Sequence, residues 1–250
     1  MQLSLGFDAY NPLPAVYERL LTAFGSFRGG PRLTPLDQLI RSMISSRTYD
    51  EVSWPAFLRL RNRFQPWESL LTASPAEIAA VLAPVTYAEV KAAWAPEALG
   101  RLQALRGELS LDFLAEPPVE MAMGWLQRHL PGVGDKVAAE VLNFSTLRRR
   151  AMVVDTHVWR VARRIGLAPA NVEPGMVAAA IMAAAPGAWS DEDVFDLHWL
   201  LKRLGQTLCL DHRTRCGACP VAALCETRRR AQSREAAKVL PLAFPHRNKQ

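Results

Sequence analysis

The chain is expected to fold as an all-α protein. Apolar residues recur at spacings of three and four along most of its length, Ala, Leu and Arg abound, and Pro and Gly punctuate the periodic stretches. Alternating apolar and polar runs are short and β-branched stretches are rare, so no strand is expected.

In chain order, helices are expected over 14–27, 34–46, 50–63, 67–71 and 75–82. The last of these opens on Ser74-Pro75-Ala76-Glu77, a capping box with Pro at the first helical position. Helices over 87–104 and 110–114 follow. The next two, 118–129 and 135–146, form a pair: Val119, Ala122, Met123 and Leu126 share one face of the first, and Val137, Ala138, Val141 and Leu142 one face of the second. The helix over 156–166 buries Val158, Val161, Ala162 and Ile165 and turns Arg160, Arg163 and Arg164 the other way. A helix over 173–184 precedes one over 191–208, which starts at the acidic Ser190-Asp191-Glu192-Asp193. A short helix over 220–227 is the last. Residues 228–250 begin with Arg228-Arg229-Arg230, contain Pro241 and Pro245, and are expected to form a basic tail rather than a packed helix. Trp54, Trp67, Trp94, Trp125 and Trp189 sit at amphipathic spacings and are expected in the core. His198 and Trp199 are expected to pack the domain or shield the cysteine segment.

Charge is unevenly distributed. Residues 1–130 carry 12 Lys and Arg against 13 Asp and Glu, while residues 131–250 carry 18 against 11, so the net charge of +6 comes from the second half. A polyanion such as nucleic acid is one partner that fits; a solvated basic surface accounts for the charge equally well. The N-terminus lacks the basic and apolar regions of a signal peptide. The apolar run Met176–Ala185 is too short to span a bilayer, so no membrane partner is expected. A cytoplasmic protein is expected, in which Cys209, Cys216, Cys219 and Cys225, the chain's 4 cysteines, stay reduced and serve as metal ligands rather than disulfides. Their spacing, C-x6-C-x2-C-x5-C, leaves only Cys216 and Cys219 as a close pair. Zinc sites more often use two close pairs; four thiolates from one run suit an iron–sulfur cluster.

Between the paired helices lies Leu130-Pro131-Gly132-Val133-Gly134, a tight turn whose glycines permit positive φ and close approach of the backbone. It delivers unpaired N–H groups at a helix N-terminus, where a phosphate can sit. This is a helix-hairpin-helix, a module that grips the DNA backbone without reading sequence. Lys136 lies in the first turn of the second helix, where the helix dipole disfavours an ammonium and so favours the neutral amine of Schiff-base chemistry. A plain alternative is a surface pair with Glu140 at i+4, in the less favourable order. Asp155, nineteen positions after Lys136, opens the next helix. As an isolated residue it reads as an N-cap; opposite a nucleophilic lysine it has a second use, in stabilising a developing oxocarbenium charge and assisting proton transfer.

Together these residues resemble the endonuclease III branch of the helix-hairpin-helix DNA glycosylases. Three blocks carry the resemblance in the family's order: LPGVGDKVAAEVLNF at 130–144, VVDTHVWRV at 153–161 and the four-cysteine loop, with a weaker match of LIRSMISSRTYD at 39–50. The resemblance implies two helical domains with a DNA groove between them. One is a six-helix barrel over 35–148 containing the helix-hairpin-helix 118–144. The other joins 1–34 to 149–227 around a [4Fe–4S] cluster held by the four cysteines, and 228–250 is a basic C-terminal tail. It further implies a base excision repair glycosylase with AP lyase activity, acting as a monomer on double-stranded DNA that contains damaged bases, above all oxidised pyrimidines, or abasic sites. Lys136 and Asp155 are then the catalytic pair. Gly132, Val133 and Gly134 grip the DNA backbone, and Arg213 and Arg215 of the cysteine loop meet phosphates. A mismatch-type glycosylase and a lesion-binding protein with vestigial catalysis are the alternatives.

Two segments depart from the family pattern. Relatives carry a gap-filling glutamine where this chain reads Ser45-Ser46-Arg47-Thr48-Tyr49-Asp50. Their second probing loop, G-hydrophobic-Tyr-x-x-Lys-Ala, is here Val85-Thr86-Tyr87-Ala88-Glu89-Val90-Lys91-Ala92, with the glycine replaced and one residue added. Ser46, Arg47, Tyr49, Thr86 and Tyr87 are therefore the expected DNA-probing residues, with Arg47 or Tyr49 filling the gap left by a flipped base.

Overall fold

The computed structural model describes residues 11–239. Among them are eleven α-helices: α1 (Leu13–Phe24), α2 (Pro35–Ser45), α3 (Asp50–Phe64), α4 (Pro75–Val81), α5 (Ala88–Arg106), α6 (Val119–His129), α7 (Asp135–Phe144), α8 (Thr156–Ile165), α9 (Pro174–Ala184), α10 (Asp191–Thr207) and α11 (Glu226–Val239). Short 3-10 turns occupy Trp67–Leu71, Asp112–Ala115 and Cys216–Ala218. The described residues contain isolated bridges but no strand, as expected of an all-α chain. No helix among them is long and apolar enough to cross a membrane.

Local chemistry sets most helix starts. Thr34 caps α2 by accepting from the Asp37 amide, with Pro35 in the first turn. Ser74 and Glu77 close the expected capping box of α4. Ser190 and Asp193 do the same for α10: the Ser190 amide donates to Asp193 Oδ2 at 2.7 Å and the Asp193 amide to Ser190 Oγ at 3.2 Å. The expected helix 14–27 stops earlier, at Phe24, because Gly25 takes φ 74° and turns the chain.

Residues 11–239 divide into two compact units. The larger comprises Ser26–Asp155 and Ala185–Trp199. Its six helices α2–α7 surround a core that includes Leu39, Ile40, Phe57, Leu60, Leu99, Leu126 and Leu142. Helix α7 is central: it packs on α2 and α6, and its residues from Val137 to Phe144 are all buried. The sequence reading placed the boundaries at 34/35 and 148/149; this unit instead begins at Ser26 and takes in 185–199. The cause is polar and aromatic anchoring. Arg28 Nε binds Asp196 at 2.6 Å, Arg32 binds Glu192 at 2.9 Å, and Phe144 packs edge-on against Phe195 and His198. His198 and Trp199 thus pack this unit, with Trp199 stacked on Phe144. Trp67 is buried as expected, whereas Trp54 is 41% exposed; on α3 it lies under the Arg41 guanidinium instead of inside the core.

The smaller unit contains α1, α8, α9, the end of α10, the cysteine segment and α11. Val158, Val161, Ala162 and Ile165 of α8 are buried as the pattern required, with Leu13, Leu20, Ile181, Leu200 and Leu204 also in the interior. Helix α8 crosses α10 closely at Gly205, where an added Cβ would stand 2.9 Å from His157 Cβ and 3.2 Å from Val161 Cγ2. Gly205→Ala is therefore expected to lower stability by about 1–2 kcal/mol, the strain of overpacking outweighing the gain in helix propensity; a thermal melt that rises instead would show that the crossing can relax.

The C-terminal expectation needs correction. No helix spans 220–227, and residues 228–239 are helical rather than a tail. Helix α11 has no apolar face to betray it, but it is built of strong helix formers, is reinforced by an i,i+4 Glu226–Arg230 pair, and starts tucked against Gly166, whose position would bring a Cβ 2.6 Å from Glu226 Oε2. Pro241 and Pro245, on which the tail reading partly rested, lie outside the described residues, as do 240–250 generally.

Candidate functional site

The helix-hairpin-helix is present: α6 ends at His129, the turn runs through Gly132 and Gly134, and α7 begins at Asp135. Gly132 has φ 74°, and a Cβ there would lie 2.9 Å from ring carbons of Trp94 and 3.2 Å from Met43 Cε, so only glycine fits. Val133 turns its side chain into the core, while Gly132 and Gly134 are exposed. Gly134 is the N-cap of α7 and no side chain caps the helix. The first amides of α7 are left to bind an outside acceptor.

Lys136 stands in this first turn, its side chain 32% exposed. Its Nζ lies 2.8 Å from Glu140 Oε1. The i,i+4 pair foreseen as a surface contact is formed, but Glu140 is buried, with the Ser42 hydroxyl of α2 as a second hydrogen-bonding neighbour. Burial alone would raise the Glu140 carboxyl; the Lys136 ammonium, with Arg41 of α2 helping, outweighs this and holds it below the usual carboxylate range. Asp155 belongs to the same unit as Lys136. It is half-buried where the buried segment Ala151–Val154 enters α8, and the Val153 carbonyl accepts a bond from His198 Nδ1 at 2.9 Å. His157 is structural in the smaller unit, with its Nδ1 3.2 Å from Arg160 Nη2.

The two unusual probing segments are joined by a residue whose role the sequence reading missed. Lys91 is buried on α5, and its ammonium donates to the Ile44 carbonyl at 2.8 Å, the Ser46 carbonyl at 2.5 Å and Thr48 Oγ1 at 3.1 Å. An ammonium has three N–H donors, and all are spent on one turn. Arg47, inside that turn, takes φ 53°, and Tyr87, one helical turn before Lys91, takes φ 58°. Left-handed backbone costs a non-glycine residue about 1–2 kcal/mol, and such strain tends to mark working sites. Arg47 and Thr86 are exposed, Tyr49 is 83% exposed and Tyr87 59%. Burial and then the charge of Lys136 lower the Lys91 pKa to about 8. A folded value below the unfolded one means that the charged lysine works against folding below pH 8. Lys91→Met removes that cost but leaves the Ile44 and Ser46 carbonyls without their donor, and the two effects are expected to offset to within about 1–2 kcal/mol. Hydrogen exchange should instead reveal a local effect: protection of the Thr48 amide, which bonds the Ser45 carbonyl at 3.1 Å, should fall while α7 is unchanged. Unaltered protection at Thr48 would mean that the turn holds itself.

In the smaller unit, Cys209, Cys216, Cys219 and Cys225 line one cavity, walled by Ile165, Leu204, Leu208 and Val221. Burial pushes the Cys219 and Cys225 thiols up, and the neighbouring cysteines add to the rise. Guanidinium groups surround the segment. Arg160 donates to the Gly205 and Cys209 carbonyls at 2.9 and 3.2 Å, Arg164 to the Leu210 carbonyl at 2.7 Å, and Arg228 to the Cys216 carbonyl. Among the described residues, no three His, Cys, Asp or Glu side chains form a group able to hold a single metal ion. Cys209 and Thr214 form a bridge across the loop that exposes Arg213, with the exposed Arg215 just after it.

Known proteins are similar to this chain in sequence and fold. Residues 40–186 match the model of the HhH-GPD superfamily of base excision DNA repair proteins. A candidate DNA glycosylase of Arabidopsis thaliana is 32% identical over 171 residues, which are 68% of this chain and 56% of that protein. The endonuclease III-like protein 1 of Gallus gallus is 28% identical over 202 residues, 80% of this chain and 66% of that protein. The chain thus spans about 56–66% of the length of these curated relatives. The fold matches that of an endonuclease III solved as a trapped covalent intermediate with DNA, with a TM-score of 0.72 and 20% identity over 88% of this chain and 97% of that one.

Proposed function

The chain belongs to the HhH-GPD superfamily of base excision DNA repair proteins, and from that membership we propose that it is an endonuclease III-like DNA glycosylase with AP lyase activity. Its substrate is double-stranded DNA carrying oxidised pyrimidines or abasic sites, and it acts as a monomer. The observation that carries this reading is Lys136, a partly exposed amine directly after the glycine turn, in the first turn of α7.

A phosphate of the DNA backbone is held by the amides that follow Gly132, Val133 and Gly134. The damaged nucleotide leaves the stack, and the exposed segments of Ser46, Arg47 and Tyr49 and of Thr86 and Tyr87 enter the space it vacates. The Arg47 guanidinium is planar and stacks on bases. Lys136 Nζ attacks C1′ of the sugar; the N–C1′ bond forms as the glycosidic bond breaks, and its electron pair leaves on the base. Asp155 offsets the positive charge that develops on the sugar. The C1′–O4′ bond of this aminal then opens, its electron pair and a proton going to O4′; the iminium so formed acidifies the C2′ proton, and β-elimination expels the 3′ phosphate and cuts the strand.

Cys209, Cys216, Cys219 and Cys225 would hold a [4Fe–4S] cluster. The donor set fits: four thiols share one cavity, and the rise in the Cys219 and Cys225 values is relieved once they bind a cationic centre. When bound, the cluster supplies cross-links and fixed charge, with no redox step in base removal. Arg213 and Arg215 then meet phosphates beside it.

The test is a panel of duplexes carrying an oxidised pyrimidine, an abasic site or a mispair, incubated with purified protein and borohydride. Covalent trapping and strand cleavage on the first two are expected. Base removal from the mispair alone would instead assign a mismatch enzyme, and tight binding to abasic DNA without cleavage a lesion-binding protein.

A further inference from the structure

An amine attacks only through a free lone pair, yet Lys136 is paired with a carboxylate in the way an ammonium is. Glu140 is an unusual partner for a lysine at the surface. It lies on the buried side of α7 between Ala139 and Val141, one oxygen is 2.8 Å from Lys136 Nζ, and the Ser42 hydroxyl of α2 is its other hydrogen-bonding neighbour. A carboxylate held only to fix a lysine needs no burial, and burying it costs stability. We propose that Glu140 is the proton acceptor that frees the Lys136 amine for attack, an inference that rests on Lys136 being the nucleophile. In the step, one N–H bond of Lys136 breaks and an O–H bond forms at Glu140 Oε1. The ammonium–carboxylate pair becomes a neutral amine and a neutral acid, and the nitrogen keeps the electron pair with which it attacks.

The charges around the pair set when this happens. Lys136 faces Glu140 on its own helix, Arg41 faces Glu140 from α2, and Lys91 on α5 acts on Lys136. Arg41 favours the Glu140 carboxylate, and the Lys136 charge disfavours the Lys91 ammonium. In the free protein, water reaches the third of Lys136 that is exposed and supports the ion pair. Bound DNA covers that surface, and loss of water favours the neutral pair.

The pH profile separates this role from a structural one. The ion pair and the neutral pair contain the same number of protons, so the rate of borohydride trapping on abasic DNA should be flat from about pH 5.5 to 8. Because the Glu140 carboxyl is held below its usual range, the acid limb lies below that window. With Glu140→Gln the proton must go to solvent: trapping at pH 7 should slow about 100-fold or more, and should recover about tenfold per pH unit. The adduct should still map to Lys136, and binding to abasic DNA should stay within a few-fold. Trapping as fast as wild type or faster, or a profile still flat, would overturn the proposal. A wild-type rate that itself climbs tenfold per unit through neutrality would overturn it as well, even if the variant does not fold. Loss of trapping sensitivity to Lys136 itself would instead sink the assignment of the nucleophile.

Discussion

Lys136→Gln is expected to abolish borohydride trapping on abasic DNA and to slow single-turnover base release about a thousandfold or more, the scale on which covalent enzymes lose rate with their nucleophile. Glutamine cannot form the imine, but its amide can still donate to Glu140 Oε1. Its stability cost should therefore be only about 1–2 kcal/mol. Lys136→Ala leaves the buried Glu140 carboxylate without its partner and should cost about 3–5 kcal/mol. The two variants should be equally inactive and differ in melting temperature, with abasic-DNA binding by the glutamine variant checking that the site is intact. If both melt alike, the Lys136–Glu140 pair contributes little to the fold.

The second large effect is expected at the cysteines. Between residues 206 and 235 Val221 is the only buried residue, so this stretch has almost no core of its own. With the proposed cluster in place, such a segment draws its folding energy from the metal. Cys219→Ser is expected to yield colourless protein and to destabilise the segment by more than about 4 kcal/mol, in the range reached when a metal centre is lost. Limited proteolysis should cut first after Arg213 and Arg215, while the larger unit, with its separate core, keeps its far-ultraviolet signal. Protein that stays brown and resists cleavage would place the metal elsewhere.

Periodicity made most of the helices legible because their faces are strongly segregated: Val158, Val161, Ala162 and Ile165 line up at spacings that only a helix places on one side, and all four are buried. The same criterion failed for Glu226–Val239, which has no apolar stripe to read. Sequence also marked Lys136 and the glycine turn, since Gly132 sits where a Cβ would strike Trp94. It could not separate a surface ion pair from the buried one that Glu140 makes, because i,i+4 spacing says nothing of depth; the one signal was the run of apolar neighbours around Glu140. Lys91 was hidden for a related reason. Its acceptors are carbonyls of Ile44 and Ser46, more than forty positions away, and backbone carbonyls leave no trace in composition.

The central claim is that Lys136 is the attacking amine, and Lys91, a second lysine acting on it electrostatically, is the natural competitor. Peptide mapping of the borohydride-reduced adduct by mass spectrometry decides between them. The expected result is a sugar remnant on Lys136 and none on Lys91, whose three N–H groups are engaged; a remnant on Lys91, or on any residue other than Lys136, would contradict the account.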